Sequence, residues 1–167
     1  MKILLMVLIV FLFAGCTTHI PIRTEVIIDA PKEIVFAKLI EFEGYDKWNP
    51  YHVRVRGEPM IGSKLEIKVH RPDGKIIDVP AVHVLRLKDN QELTWGGGIK
   101  GIFYGEHVFL LEDSDGGRTK MVHNEDFTGL FIGFADLPPD VLTEGYRRMN
   151  LAFKIFVETE GQKTNNN

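Results

Sequence analysis

From Tyr51 to about Gly129 the apolar residues recur at every second position, and from Leu142 to Phe156 they recur by threes and fours. No other feature of the chain constrains its fold as strongly. A strand shows alternate side chains to opposite faces, so period two over consecutive segments makes a sheet with one dry face. The segments are 51–57, 63–71, 76–87, 91–97, 103–112 and 118–128. Arg71-Pro72-Asp73-Gly74, Lys88-Asp89-Asn90 and Asp113-Ser114-Asp115-Gly116-Gly117 carry the residues of tight turns. Short turns force neighbouring strands to run antiparallel. Leu65, Ile67 and Val69 fall on one face, and Glu66, Lys68 and His70 on the other. Leu142, Tyr146, Met149, Phe153 and Phe156 make a helical stripe about four turns long, with Arg147, Arg148, Lys154 and Glu158 off it. Such a helix needs an apolar surface to cover, and the dry sheet face is the only large one here. The expected class is α+β, a curved antiparallel sheet gripping one long C-terminal helix.

Upstream, Arg23 to Ile28 reads as a further strand, which brings the sheet to about seven. Pro31 suits a first helical position, with Glu33 at the positive end of the helix dipole. Val35, Phe36, Leu39 and Ile40 give that helix a buried face, and Gly44 is expected to end it. Tyr45 to Asn49 then makes a second short helical turn before Pro50.

The N-terminus has a different character. Met1-Lys2 precedes an unbroken apolar run from Ile3 to Phe13. That run is shorter than the about 20 residues a membrane span needs, but it matches a signal-peptide core. Ala14-Gly15-Cys16 resembles the lipobox of bacterial lipoproteins, with Phe13 where leucine is more usual. The resemblance implies that residues 1–15 are removed as a signal peptide and that Cys16 is lipidated. Residues 16–22 are then a tether, 23–160 the domain and 161–167 a disordered tail. It places the protein in the cell envelope, anchored to a membrane by its lipid. Thr17, where inner-membrane lipoproteins often carry Asp, points to the periplasmic face of the outer membrane if the source has two. Cys16 is the chain's single cysteine, so no disulfide framework exists. Net charge is −3 and unclustered, which argues against a nucleic-acid partner.

Four segments, taken in order, carry a second resemblance. They are Ile27 to Phe36 at the strand-to-helix entry, Tyr45-Asp46-Lys47-Trp48-Asn49-Pro50, the glycine-led strand from Gly62 to Leu65, and Tyr146 to Lys154 in the last helix. Together they resemble the helix-grip fold of the START-like (SRPBCC) superfamily, in particular its polyketide cyclase/dehydrase-like subgroup, over residues 23–160. The resemblance implies a cavity between sheet and helix that takes a hydrophobic or amphipathic small molecule, lipids included. It implies no single reaction.

If residues 113–117 close the last hairpin, strand partners sum to 230. His107 then faces His123, Gly105 faces Glu125, Phe109 faces Met121 and Leu111 faces Thr119. Lys120, Asn124 and Asp126 take the wet face, so His107, His123 and Glu125 share the dry one with Phe109, Met121 and Phe127. Four roles compete for these three titratable groups. They are a satisfied polar patch, recognition of a ligand hydroxyl or carboxylate, general acid–base catalysis, and, least supported, a zinc site. Trp48, Trp95, Phe103, Met149 and Phe153 complete the expected cavity wall, and Phe131, Phe134 and Leu137 a lid or docking segment. Gly96-Gly97-Gly98-Ile99-Lys100-Gly101 matches G-x-G-x-x-G but is followed by a strand, which excludes a dinucleotide site and suggests a flexible rim loop. No metal or cofactor is expected, and no nucleophile motif is present. The expected function is a membrane-anchored binding protein for a hydrophobic small molecule. The alternatives are a cyclase/dehydrase-like enzyme and a ligand-free envelope interaction module. A cavity of roughly 300 Å³ or more separates ligand binders from the last.

Overall fold

The computed structural model describes residues 18–165. Its strands are β1 (Thr18–Ile28), β2 (His52–Arg56), β3 (Lys64–His70), β4 (Ile76–Lys88), β5 (Glu92–Ile99), β6 (Phe103–Ser114) and β7 (Arg118–Gly129). They form one sheet in the order β1-β7-β6-β5-β4-β3-β2, with every neighbouring pair antiparallel. Helix α1 (Lys32–Leu39) and a 3₁₀ segment (Phe42–Lys47) follow β1, and helix α2 (Pro139–Asn165) closes the chain. Four residues of the α2 stripe (Leu142, Tyr146, Met149 and Phe153) are at most 3 % exposed, packed on the inner sheet face, while at its end Val157 is buried and Phe156 only partly so. This is the α+β architecture the periodicities require.

The differences from expectation have local causes. β1 begins at Thr18, so residues 18–22, expected in the tether, pair with β7 instead. Pro21 is tolerated because β1 is an edge strand with a free side. The 1–15 signal peptide and Cys16 lie outside the described residues. The α2 backbone stays helical to Asn165, through most of the expected tail. Gly44 does not end α1; Ile40 caps it, and Gly44 sits buried inside the 3₁₀ segment. Gly96, Gly97 and Gly98 are not a rim loop but part of β5, and the turn is Lys100-Gly101-Ile102.

The β6–β7 pairing differs by two residues. Partners sum to 232: His107 faces Glu125, Phe109 faces His123, Gly105 faces Phe127 and Leu111 faces Met121. β6 runs on to Ser114, leaving only Asp115-Gly116-Gly117 for the turn, with both glycines in the left-handed region. A slip of two preserves which face each residue occupies, because the side-chain period is two. The inward set is therefore unchanged.

β4 is kinked at Pro80-Ala81. Opposite Leu65 and Ile67 it spends one extra residue between Val79 and Val82, and Ala81 has φ 56°. Proline cannot donate to the ladder, so it belongs at such a bulge, and the bulge bends the sheet around α2.

Candidate ligand cavity

A cavity of about 340 Å³ lies between the bent sheet and the first half of α2. Missing side chains help to keep it open. Gly96, Gly97, Gly98 and Gly105 line it without filling it. They also let the backbones close up, since a Cβ on Gly97 would sit 2.0 Å from the Ala81 carbonyl oxygen. Val69, Val79, Trp95, Phe127, Leu142 and Tyr146 give it an apolar wall, and His52, His107, Glu125 and Arg71 supply the polar groups.

Beneath the cavity floor the hydrogen bonds form a chain with one direction. The Thr24 hydroxyl donates to the His123 carbonyl at 2.9 Å. Its oxygen is then free to accept from the Asn150 amide, 3.0 Å away. That orients Asn150 Oδ1 to accept from His123 Nδ1–H at 2.6 Å. A neutral His123 protonated at Nδ1 has a bare Nε2, which accepts from His107 Nε2–H at 2.7 Å. His107 in turn has a bare Nδ1, and this faces Glu125 Oε2 at 3.4 Å. A lone pair facing an ionised carboxylate would be repulsive, so one proton must lie between the two, and a neutral His107 leaves it on Glu125.

Desolvation leads to the same protonation states. Burial pushes Glu125 up to about 8, helped by the neighbouring Asp126. Burial alone drives His107 down to about 3. His123 and His52 are held well below the usual histidine range, by burial and by the imidazoles around them. At neutral pH the floor is therefore uncharged, with one proton shared by the Glu125–His107 couple. Its loose 3.4 Å separation leaves the carboxyl available to a guest.

Arg71 closes the rim. Its guanidinium is 1 % exposed, pairs with Asp73 across the β3–β4 turn and reaches the Asp136 carbonyl at 2.9 Å and carboxylate at 3.0 Å. It thereby ties that turn to the segment ahead of α2, where Lys75 also holds Asp136 at 2.8 Å.

Of the residues expected in the wall, Trp95, Phe103, His107, Glu125 and Phe127 line the cavity. Trp48, Phe109, Met121, His123, Met149 and Phe153 do not. Trp48 packs on Phe153 and Phe156 with ring centroids 4.8 and 5.9 Å apart. Phe109, Met121, Met149 and Phe153 are completely buried in the solid part of the core, and His123 lies one layer beneath the floor. Leu137 lines the rim. Among the described residues no cluster of three or more His, Cys, Asp or Glu is placed to hold a metal ion. The direct His107–His123 hydrogen bond occupies the space an ion would need.

His52 is absent from the expected set. Its ring sits 5.0 Å from that of His107, it lines the cavity, and its buried Nδ1 has no partner. A lone imidazole at the start of a five-residue strand, ahead of a register shift, gives no periodic signal. Tyr51, Tyr146 and Arg71 were also not anticipated there.

No protein-family model matches the chain, and no curated protein does. Solved structures match over most of its length. A START superfamily protein from Mycobacterium smegmatis superposes with TM-score 0.64 at 16 % identity, over 85 % of this chain and 99 % of that one. The Zhui aromatase/cyclase from Streptomyces sp. R1128 gives TM-score 0.63 at 18 % identity, over 86 % of this chain and 94 % of that one. An uncharacterized protein from Rhizobium leguminosarum gives 0.64 at 21 %, over 86 % and 97 %. The fold is the helix-grip fold of START-like proteins. At these identities the likeness extends to the fold and no further, so the cavity's chemistry must come from its own residues.

Proposed function

We propose that this helix-grip domain binds a hydrophobic or amphipathic small molecule between sheet and α2, and that it does so tethered to an envelope membrane through lipidated Cys16. The observation that carries the binding reading is the cavity itself: about 340 Å³, walled mostly by apolar side chains, with a few polar groups at one place. That combination is typical of small-molecule sites. His52, His107 and Glu125 suit one neutral hydrogen-bonding function on an otherwise apolar guest, because an ionised headgroup would meet an uncharged, desolvated floor, the Arg71 charge at the rim being paired with Asp73 and Asp136. The resemblance of Ala14-Gly15-Cys16 to a lipobox supports the anchor.

Native mass spectrometry of the protein purified from its own host tests the binding reading. A small-molecule adduct that leaves on denaturation is expected, and Val79→Phe, which fills the cavity, should abolish it. A wild-type protein without adduct that also takes up no apolar probe would sink the reading. For the anchor, the mass of the N-terminal peptide should show acyl chains on Cys16, and Cys16→Ser should lose them.

One observation favours a second reading, of cyclase/dehydrase type. The Glu125–His107 couple holds a single mobile proton on the cavity wall, which is what general acid–base chemistry requires. Glu125→Gln with retained ligand binding but lost turnover would favour it.

A further inference from the structure

Six of the thirteen large apolar residues that are exposed among the described residues fall in two neighbouring segments. Ile99, Ile102 and Phe103 at the β5–β6 hairpin and Leu130, Phe131 and Phe134 in the connection after β7 are 38–88 % exposed, Phe134 the most. The two groups adjoin. The Leu130 amide donates to the Gly101 carbonyl and the Phe131 amide to the Ile102 carbonyl, both at 3.1 Å. Phe131 and Phe134 lie 6.4 Å apart. The patch borders the cavity: Phe103 lines it, as does Leu137 three residues beyond Phe134. Lys100, at the hairpin tip, leans over Tyr104 beside it.

The start of β1 lies at the same place. Thr18 opens β1 opposite Gly129, and its hydroxyl lies 3.4 Å from where a Cβ on Gly133 would stand. Cys16 is two residues further back, and two residues span at most about 7 Å. A lipid on Cys16 would hold this end of the domain, and not the opposite one, at the headgroup layer. Six large apolar side chains and a lysine facing that layer are the composition of an interfacial contact.

We infer that the Ile99–Phe103 hairpin and the Leu130–Phe134 connection form a bilayer-docking surface, which turns the cavity mouth toward the membrane so that an apolar guest passes from lipid to cavity without crossing water. This rests on the lipid-anchored binding reading above, and deepens it by naming the face that meets the membrane.

The test uses the full lipidated chain in vesicles of phosphatidylethanolamine and phosphatidylglycerol carrying brominated acyl chains. Phe134→Trp places a reporter on the patch. Leu151→Trp places one on an exposed position of α2, about 18 Å along the helix from Pro139. Both positions are exposed, so neither change disturbs the core. Bromolipid should lower about twofold the emission that F134W adds to that of Trp48 and Trp95, and leave the emission added by L151W unchanged. Equal quenching at both positions, or quenching at neither in protein that floats with the vesicles, overturns the docking surface. Shielding of the F134W indole from iodide without bromolipid quenching would assign the patch to a protein partner or to the chain's own N-terminal segment, and overturns it too. Protein that fails to float overturns both anchor and surface. None of these outcomes touches the adduct measurement, so failure of the cavity remains distinguishable.

Discussion

The space under the sheet has two halves with opposite fillings. Around Trp48, Phe109, Met121 and Phe153 the rings meet at 4.5–5.9 Å and little room is left. Around Gly97, Gly105, Val79 and Tyr146 the same two layers enclose about 340 Å³. Fold and helix are common to both, so residue size at the inward positions makes the difference. Glycine on β5 and β6, with a kink at Pro80-Ala81, replaces the large side chains that would otherwise interdigitate. The solid half supplies rigidity, and the hollow half is free to serve a guest.

Perturbing each half should separate these roles. The largest effect belongs to the solid half: Phe153→Ala should cost about 3–5 kcal/mol by denaturant unfolding, because a fully buried ring leaves a void that packed neighbours cannot fill.

Next comes the proton balance of the boundary between the halves. Glu125 is raised from 4.5 to about 8 on folding, so the native state binds the extra proton and stability falls as pH rises between those values. Glu125→Gln removes that loss. Its stability relative to wild type should increase from about pH 4.5 to 8 and then level off, by a few kcal/mol in all. His107, lowered to about 3, acts in the opposite sense: its contribution is complete above 6.5 and is lost as pH falls toward 3. Melting temperatures across pH for the wild type and E125Q check both arms; a flat difference would break the assignment of the Glu125 proton.

Asn150→Ala should cost about 1–3 kcal/mol, since it strands the buried His123 Nδ1–H. It should also release the tautomer pattern, visible as a change in the His107 and His123 ring-nitrogen shifts. The smallest stability change is expected in the hollow half. Val79→Phe should alter stability by no more than about 1.5 kcal/mol while removing guest binding. A stability loss matching that of Phe153→Ala would mean that the two halves are packed alike.

Much of this architecture was legible in one dimension. Alternation placed His107, His123 and Glu125 on the inner face even though the assumed pairing was two residues out, because parity survives an even slip. The turn length could not be read in the same way: Asp113 and Ser114 look like turn residues yet extend β6. The glycines of β5 resembled a loop because glycine marks both turns and close backbone approach, and only the Ala81 carbonyl opposite Gly97 tells these apart. His52 lacked any pattern to reveal it.

The order of residues by itself settled the layers, the number of strands, the buried stripe of α2 and the inward face of the titratable groups, since each depends on local periodicity. Tertiary structure alone decided that one half of the core is hollow, that Thr24 and Asn150 orient both histidines, and that the start of β1 lies beside the connection that follows β7. These depend on distances between residues as many as 126 positions apart, which local pattern does not encode.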